Sequence, residues 1–431
     1  DLNLSEILVI NKAITLDGNG YTLTSTAGRA INVSGANGVT IKNLTINASG
    51  ERAINVINGA TNVTIDNVTA SSANYTVNVA SSAANAVVTV KNSDLTGLNV
   101  VNVAGANSDV SVDNTTITTV DNTAVEGYSA ICLNKDAVNG KIIATNTTIT
   151  LTGSYADDSR IARNGAEGGY VSVNGSTENV VVDVAYIAYG DTYYGFSSIE
   201  AAIKKAVAGE TIGLIRDVTA TQAIVIDKSI TIDGNGHKLT STASRAINVD
   251  TKNGTVTTEI KNLEIVGGTG CQRGINIIDN AYANTPANVT LTNVKISGVS
   301  TYGVQLADSV GSGNVITITD SEISSWIALN INGNNQTVTV NNSKLSGAAY
   351  SSVDMGNTIT VTGENTIVTV NGGTLSAATS EGLTGHHCGH VKYPSSDIVL
   401  NNVQTSVAKE GDAVITRAVA LIVGKDGSFL S

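Results

Sequence analysis

The chain is written in short runs of three to five residues in which apolar and polar positions alternate, rich in Val, Ile and Thr. Runs of this kind are half-buried strands. One unit recurs, apolar-Thr-apolar-x-Asn-x-x-apolar, as VTIKNLTI, VTIDNVTA, VTVKNSDL and VSVDNTTI. Its Asn falls at 43, 67, 92 and 114, then at 262, 293 and 342, with Ser321 taking the place between 293 and 342. Between these units lies a second strand: INV at 31 and 54, VNV at 77 and 101, then INV at 247, INI at 275, VQL at 304 and LNI at 329. Helical spacing is absent across nearly the whole chain. A repeat of 22–30 residues holding two or three short strands is one coil of a solenoid. Each strand then pairs in parallel with its copy about 4.8 Å along the axis. The pattern predicts an all-β fold, a right-handed parallel β-helix.

In that fold Ile31, Ile54, Val77 and Val101 point inward, and Asn32, Asn55, Asn78 and Asn102 form one exposed row, as do Asn248, Asn276, Gln305 and Asn330. The Asn that closes each VTI strand sits where the chain turns, because asparagine tolerates left-handed backbone angles. Its amide is expected to bond to the amide one rung away in an internal ladder. The N-x-S/T triplets at Asn43, Asn67 and Asn146 are therefore read as structural and not as glycosylation acceptors.

A coarser repeat overlies the fine one. DGNGYTLTSTAGRAINV (17–33) returns as DGNGHKLTSTASRAINV (233–249), an offset of 216. The expected organisation is a first β-helix unit over 1–190 and a second over 191–431, the second opening with a capping helix at 197–208. That segment, SSIEAAIKKAVA, carries Ile199, Ala202, Ile203, Ala206 and Val207 at helical spacing, a capping box of Ser197 with Glu200, and Gly209 as a stop. A helix there covers the open apolar end of a solenoid. Asp1 aligns with Asp217, just after the helix, so the first unit is expected to lack its cap and the natural chain to carry further domains.

Composition narrows the function. The 431 residues hold 24 Lys+Arg against 36 Asp+Glu, a net charge of −12, which argues against nucleic acid and anionic membrane as partners. No run approaches the roughly 18 apolar residues of a membrane span, so no membrane insertion is expected in this segment. Cys132, Cys271 and Cys388 are too few and too scattered for a disulfide scaffold or a zinc ribbon, and no cofactor is implied.

A capping helix followed by GETIGLIRDVTATQAIVIDKSITIDGNGHKLT (209–240) and then β-helix coils resembles the pectate-lyase-like right-handed β-helix superfamily. More narrowly, it is similar to the repetitive adhesin-like surface proteins of bacteria and archaea. That resemblance implies secretion, a cell-surface location and a binding or spacer role, with host or cell-wall glycans as partners. Enzymes of the superfamily carry paired aspartates with Gly-His-Gly and Arg-x-Lys, or calcium-binding carboxylates with a basic residue. None of these sets stands here in recognisable order.

Several constellations compete with plainer alternatives. Arg29 and Arg52 precede AINV in consecutive rungs, and Arg245 and Arg273 repeat the arrangement. Two guanidinium groups one rung apart repel unless an anion lies between them, and planar forks suit carboxylate or sulfate. An acidic ligand is one reading, and a neighbouring Asp, Glu or carbonyl is the other. With them, Asn32, Asn55, Asn248 and Asn276 are the candidate ligand-binding residues. The outward Thr row of the VTI strands (Thr40, Thr64, Thr89, then Ser111) invites comparison with ice-binding solenoids. Those need two parallel Thr ranks with strict coil length, and this single rank is flanked by Lys42, Asp66, Lys91 and Asp113, an ion ladder. In GHHCGH (385–390), His386, Cys388 and His390 share a face and are weak metal candidates. The polar cluster at 155–169, with Asp157, Asp158, Arg160, Arg163 and Glu167, is the densest imitation of a catalytic pair. The reading that follows is a non-catalytic extracellular adhesin or stalk with weak glycan binding. The alternative is a carbohydrate-active β-helix enzyme, a polysaccharide lyase or glycoside hydrolase.

Overall fold

Every repeated motif of the sequence forms a strand paired in parallel with the next copy of itself. A computed structural model describes residues 1–120, 129–152, 161–189, 192–281, 284–347, 357–377, 387–407 and 413–417, together with 422–423 and 429–430. The fold is an all-β parallel β-helix with almost no helix. It separates into two compact units, Asp1–Ser198 and Ile199–Ser431.

One coil of the first unit shows how the sequence makes the rung. Asn37–Ala48 runs as a single bent strand through VTIKNLTI, and Asn43, at φ 51°, makes the bend. Arg52–Ile57 then forms the second sheet, and Asn58 and Gly59 return the chain with φ of 56° and 75°. The next coil repeats this in register, Thr40 beside Thr64, Ile41 beside Ile65 and Ile54 beside Val77. The second unit keeps the same construction, with Val256–Gly267 beside Ala287–Ser297 in one sheet and Arg245–Asp250 beside Arg273–Ile278 in the other.

The core is a set of aliphatic columns. Ile31, Ile54, Val77, Val101 and Ile131 are fully buried on successive rungs, as are Ile41, Ile65, Val90 and Val112. Each such side chain contributes about 1.5–3 kcal/mol of transfer free energy, which stacks into one continuous apolar interior.

The helix is shorter than its sequence pattern, Ile199–Lys205, with Ile199, Ala202 and Ile203 buried. It packs against strands Thr211–Leu214 and Ile224–Ile226. Lys228 donates from Nζ to the carbonyls of Lys204 and Ala206 at 3.3 and 2.9 Å, satisfying the helix end early. Val207, expected on the apolar face, is therefore 62% exposed. Among the described residues no helix is long and apolar enough to cross a membrane.

Two expectations about the turns are corrected. The turn asparagines do form a ladder, but it lies outside. Asn67 donates to Asn43 Oδ1 and Asn114 to Asn92 Oδ1, both at 2.9 Å, while Asn92 and Asn146 donate to Asp66 and Asp113. A left-handed residue at a convex bend throws its side chain outward, so Asn67 and Asn146 are exposed and Asn43 is half-buried. Their inward placement, the ground for setting aside the N-x-S/T triplets, does not hold. In the second unit the turn between Asn293 and Asn342 is made by Asp320, at φ 49°, and Ser321 is the buried residue after it. Ser321 Oγ accepts from Val294 N at 3.1 Å, a capping role of its own.

Candidate functional site

The second sheet of each unit carries the same column on its outer face. Arg29, Arg52 and Tyr75 are register partners on three consecutive rungs of the first unit. Arg245, Arg273 and Tyr302 are their equivalents in the second. The Arg52 guanidinium lies 5.4 Å from the Tyr75 ring centroid, and that of Arg273 lies 5.7 Å from Tyr302. In the second unit the column continues into Trp326, stacked on Tyr302 at 6.3 Å with 14° between the planes.

The plainer reading of these arginines required protein carboxylates or carbonyls to neutralise them. Among the described residues none of the four forms an ion pair with a carboxylate, and the Nε of each is buried without a hydrogen-bond partner. Arg273 Nη1 reaches Asn276 Oδ1 at 3.5 Å, a neutral acceptor. For Arg52 and Arg273 a tyrosine π-face, worth about 0.5–2 kcal/mol, offsets part of the repulsion, and Glu51 adds an attraction to Arg52 without forming an ion pair. Burial, and then the neighbouring Arg29, holds the Arg52 guanidinium below its ordinary value, and burial with Arg245 does the same to Arg273. Both causes penalise the charged form, and a bound anion would oppose both.

The amide row beside the arginines is a correction to the sequence reading. Asn32, Asn55, Asn78 and Asn102 do stand in one row, but they are buried. Asn55 donates to Asn32 Oδ1 at 2.9 Å, Asn78 to Asn55 at 2.7 Å and Asn102 to Asn78 at 2.7 Å. Amides bonded one per rung cover each other above and below, so the ladder buries the row and takes one N–H of each bonded amide. In the second unit Asn276 donates to Asn248 Oδ1 at 3.0 Å, and Asn248 alone stays half-buried. Gln305 then breaks the series, its Oε1 buried without a partner.

A groove of about 790 Å³ opens beside the first column. Arg29, Glu51, Arg52 and Tyr75 line one part of it, and Lys135, Asp136 and Tyr186 another, with Asn78 and Asn102 reaching its wall. Lys135 pairs with Asp136 at 2.5 Å and lies 5.2 Å from the Tyr186 ring centroid. Sequence reasoning missed the groove because Lys135, Asp136 and Tyr186 belong to segments outside the repeat. The adjacent opposite charges of Lys135 and Asp136 were the available signal.

The other candidates are not brought together. Of the polar cluster at 155–169, Asp157, Asp158 and Arg160 lie outside the described residues. Arg163 is buried, paired with Asp183 and donating to Gly195 O at 3.1 Å, so its charge is met within the protein. His386 lies outside the described residues. Cys388 is fully buried, its Sγ 3.4 Å from Leu375 O, whereas His390 Nδ1 contacts Thr416 Oγ1 at 3.0 Å. No group of three His, Cys, Asp or Glu able to hold a metal occurs among the described residues. Cys132, Cys271 and Cys388 are free thiols. Burial pushes the Cys132 thiol up to about 12, with Asp183 adding to it.

No protein-family model matches the chain, and no curated protein matches it. Among solved structures it is similar to the E502A variant of sacteLam55A from Streptomyces sp. SirexAA-E, refined in complex with glucose, at TM-score 0.20 and 10% identity over 96% of this chain and 85% of that one. A likeness that slight carries no argument, so the fold rests on the strand registers and the function on the columns.

Proposed function

We propose that this protein is a non-catalytic extracellular surface protein, an adhesin or stalk, that binds acidic glycans weakly through its arginine–tyrosine columns. The observation that carries the reading is that Arg29, Arg52, Arg245 and Arg273 form no ion pair among the described residues, in a chain whose net charge is −12. A ligand carboxylate or sulfate bridging two guanidinium groups about 4.8 Å apart would relieve their repulsion and form charge-assisted hydrogen bonds. Affinity per site is expected in the micromolar to millimolar range, roughly −4 to −8 kcal/mol, because the outer face of a sheet desolvates little of its ligand. Two like columns in one chain would raise the avidity for a repetitive polymer. A glycan array is the direct test. Signal confined to uronate-, sialate- or sulfate-bearing glycans supports the reading, and signal on neutral glycans alone, or none, overturns it.

A further inference from the structure

One face of the first unit has no place in that reading. It lies after the turn asparagine of each rung, on the strand segments whose inward residues are Leu23, Ile46, Ala70, Leu95 and Ile117. The residues on either side of that apolar line form two outward ranks. The first runs Thr22, Thr45, Thr69, Asp94, Thr116 and Thr148 in unbroken register. The second runs Thr24, Asn47, Ser71, Thr96, Thr118 and Thr150. Ten of the twelve positions carry a hydroxyl, and only Asp94 is charged. All twelve are exposed or half-buried, and among the described residues none has a side-chain hydrogen-bond partner within the protein. The Thr row of the VTI strands differs on this point, since Ser111 there donates to Thr89.

The spacing of the array follows from the fold. Rungs are about 4.8 Å apart along the axis, and positions i and i+2 of one strand about 6.6 Å apart across it. The face is carried on stacked parallel strands and not on loops, so it has no loop entropy to lose on binding. Threonine adds a χ1-restricted methyl beside each hydroxyl, which fixes where the hydroxyl points and keeps disordered water out. A nearly uncharged grid of groups that both donate and accept, repeated at regular intervals in two directions, is complementary to an ordered water lattice. Charged ligands gain little there, because eleven of the twelve positions carry no charge.

The second unit shows that the fold does not demand this chemistry. At the equivalent first rank it carries Lys238, Glu264, Lys295, Glu322 and Lys344, an alternating charge ladder. Lys238 and Lys295 both pair with Glu264, at 3.4 and 3.8 Å. The same column in the same coil is thus charged in one unit and hydroxylic in the other.

We propose that the two-rank hydroxyl face of the first unit, Thr22 to Thr150, is an ice-binding surface. The test uses the purified full chain. A supercooled droplet is grown slowly around a seed crystal, and two readings are taken: the shape of the crystal, and the fraction of protein carried into ice relative to a non-binding solute. Faceted crystals and several-fold enrichment are expected of the wild type. Thr69→Lys combined with Thr116→Lys imports the charges that the second unit carries at the same rungs, Lys295 and Lys344, and should return enrichment to the non-binding level with an unchanged melting curve. Asp94→Thr completes the first rank and should raise enrichment above wild type, and Arg29→Gln with Arg52→Gln should leave it unaltered. Rounded crystals with wild-type protein excluded from the ice would overturn the proposal, as would enrichment indifferent to the Thr69/Thr116 variant. Exclusion from ice together with a glycan signal lost in that variant would assign the face to a saccharide and overturn it equally.

Discussion

The two units share a coil and differ in what they put on its outside. Inward columns are nearly interchangeable: Ile54 and Ile275, Ile41 and Ile260, Leu23 and Leu239 fill the same places. Even the entry contacts repeat, Asp1 accepting from Thr22 N at 3.0 Å and Asp217 from Lys238 N at 2.9 Å. Outside, the charge ladder has moved. The first unit carries it before the turn, as Asp17, Lys42, Asp66, Lys91 and Asp113, with pairs at 3.2 and 3.4 Å. The second unit keeps only Asp233 and Lys261 there, followed by Thr292, Thr319 and Asn341, and carries its ladder after the turn. The amide ladder is continuous in the first and broken at Gln305 in the second. The arginine–tyrosine column is kept outside in both, as is the start of the turn-asparagine ladder, Asp17–Asn43–Asn67 and Asp233–Asn262–Asn293. Packing constrains the inward set, so the outer features that persist or diverge are the ones that report function.

The largest effect should come from the shared part. Ile54→Asp and Ile275→Asp each bury an unpaired carboxylate and should cost about 3 kcal/mol or more alike, read from chemical denaturation. A midpoint unmoved in either would break the equivalence of the two cores. Next is the amide ladder. Asn78→Ala strands Asn55 Oδ1 and the Asn102 amide and should cost about 1–3 kcal/mol, whereas Gln305→Ala, at the rung where the ladder is already broken, should cost distinctly less. Equal costs would mean that the ladder contributes nothing beyond packing. Smaller again is the displaced charge ladder. Lys295→Ala should cost no more than about 0.5 kcal/mol at low salt and nothing at high salt. A salt-independent loss would show that the side chain acts by packing.

The smallest effect is acid sensitivity of the first unit. Asn43 hydrogen-bonds Asp17 and lowers its pKa below 3.8, Asn92 does so for Asp66, and Thr145 with Asn146 for Asp113. Folded-state values lie below unfolded ones, so this stabilisation is present above the unfolded value, about pH 4, and is lost as pH falls through the folded values. Asn92→Ala should flatten the fall in denaturation midpoint between about pH 5 and about pH 3. An unaltered slope would remove the turn ladder as its cause.

The fold could be read from the sequence because a solenoid repeats its packing problem at every rung. Alternation in INV and VTI sets which residues face in, and the spacing of Asn43, Asn67, Asn92 and Asn114 sets the turns. Exposure was harder. Alternation says that Asn32 and Asn55 face outward, but burial also depends on what covers an outward face, and there the covering groups are the neighbouring amides. The turn asparagines erred the other way, since left-handed φ throws them out of the alternation. At the site, Arg29, Arg52, Arg245 and Arg273 stood out because they repeat. Tyr75 and Tyr302, which complete the columns, went unnoticed because one tyrosine per unit leaves no period. The second hydroxyl rank was hidden for a related reason: each of its members is separated from the first rank by one apolar residue, and only the register shows twelve positions on one face.

Binding of an acidic glycan at the arginine columns is the claim on which the function rests, and Trp326 supplies the probe. It is the single tryptophan of the chain and stacks on Tyr302, at the end of the second column. The decisive measurement is a titration of the full chain with an oligogalacturonate at low and at physiological salt, following both calorimetric heat and tryptophan fluorescence. Saturable heat weakened by salt is expected. The fluorescence change should vanish in Arg245→Gln/Arg273→Gln but persist in Arg29→Gln/Arg52→Gln, and both signals should vanish when all four are replaced. Equal binding by wild type and the fourfold variant, or no binding by either, would contradict the account.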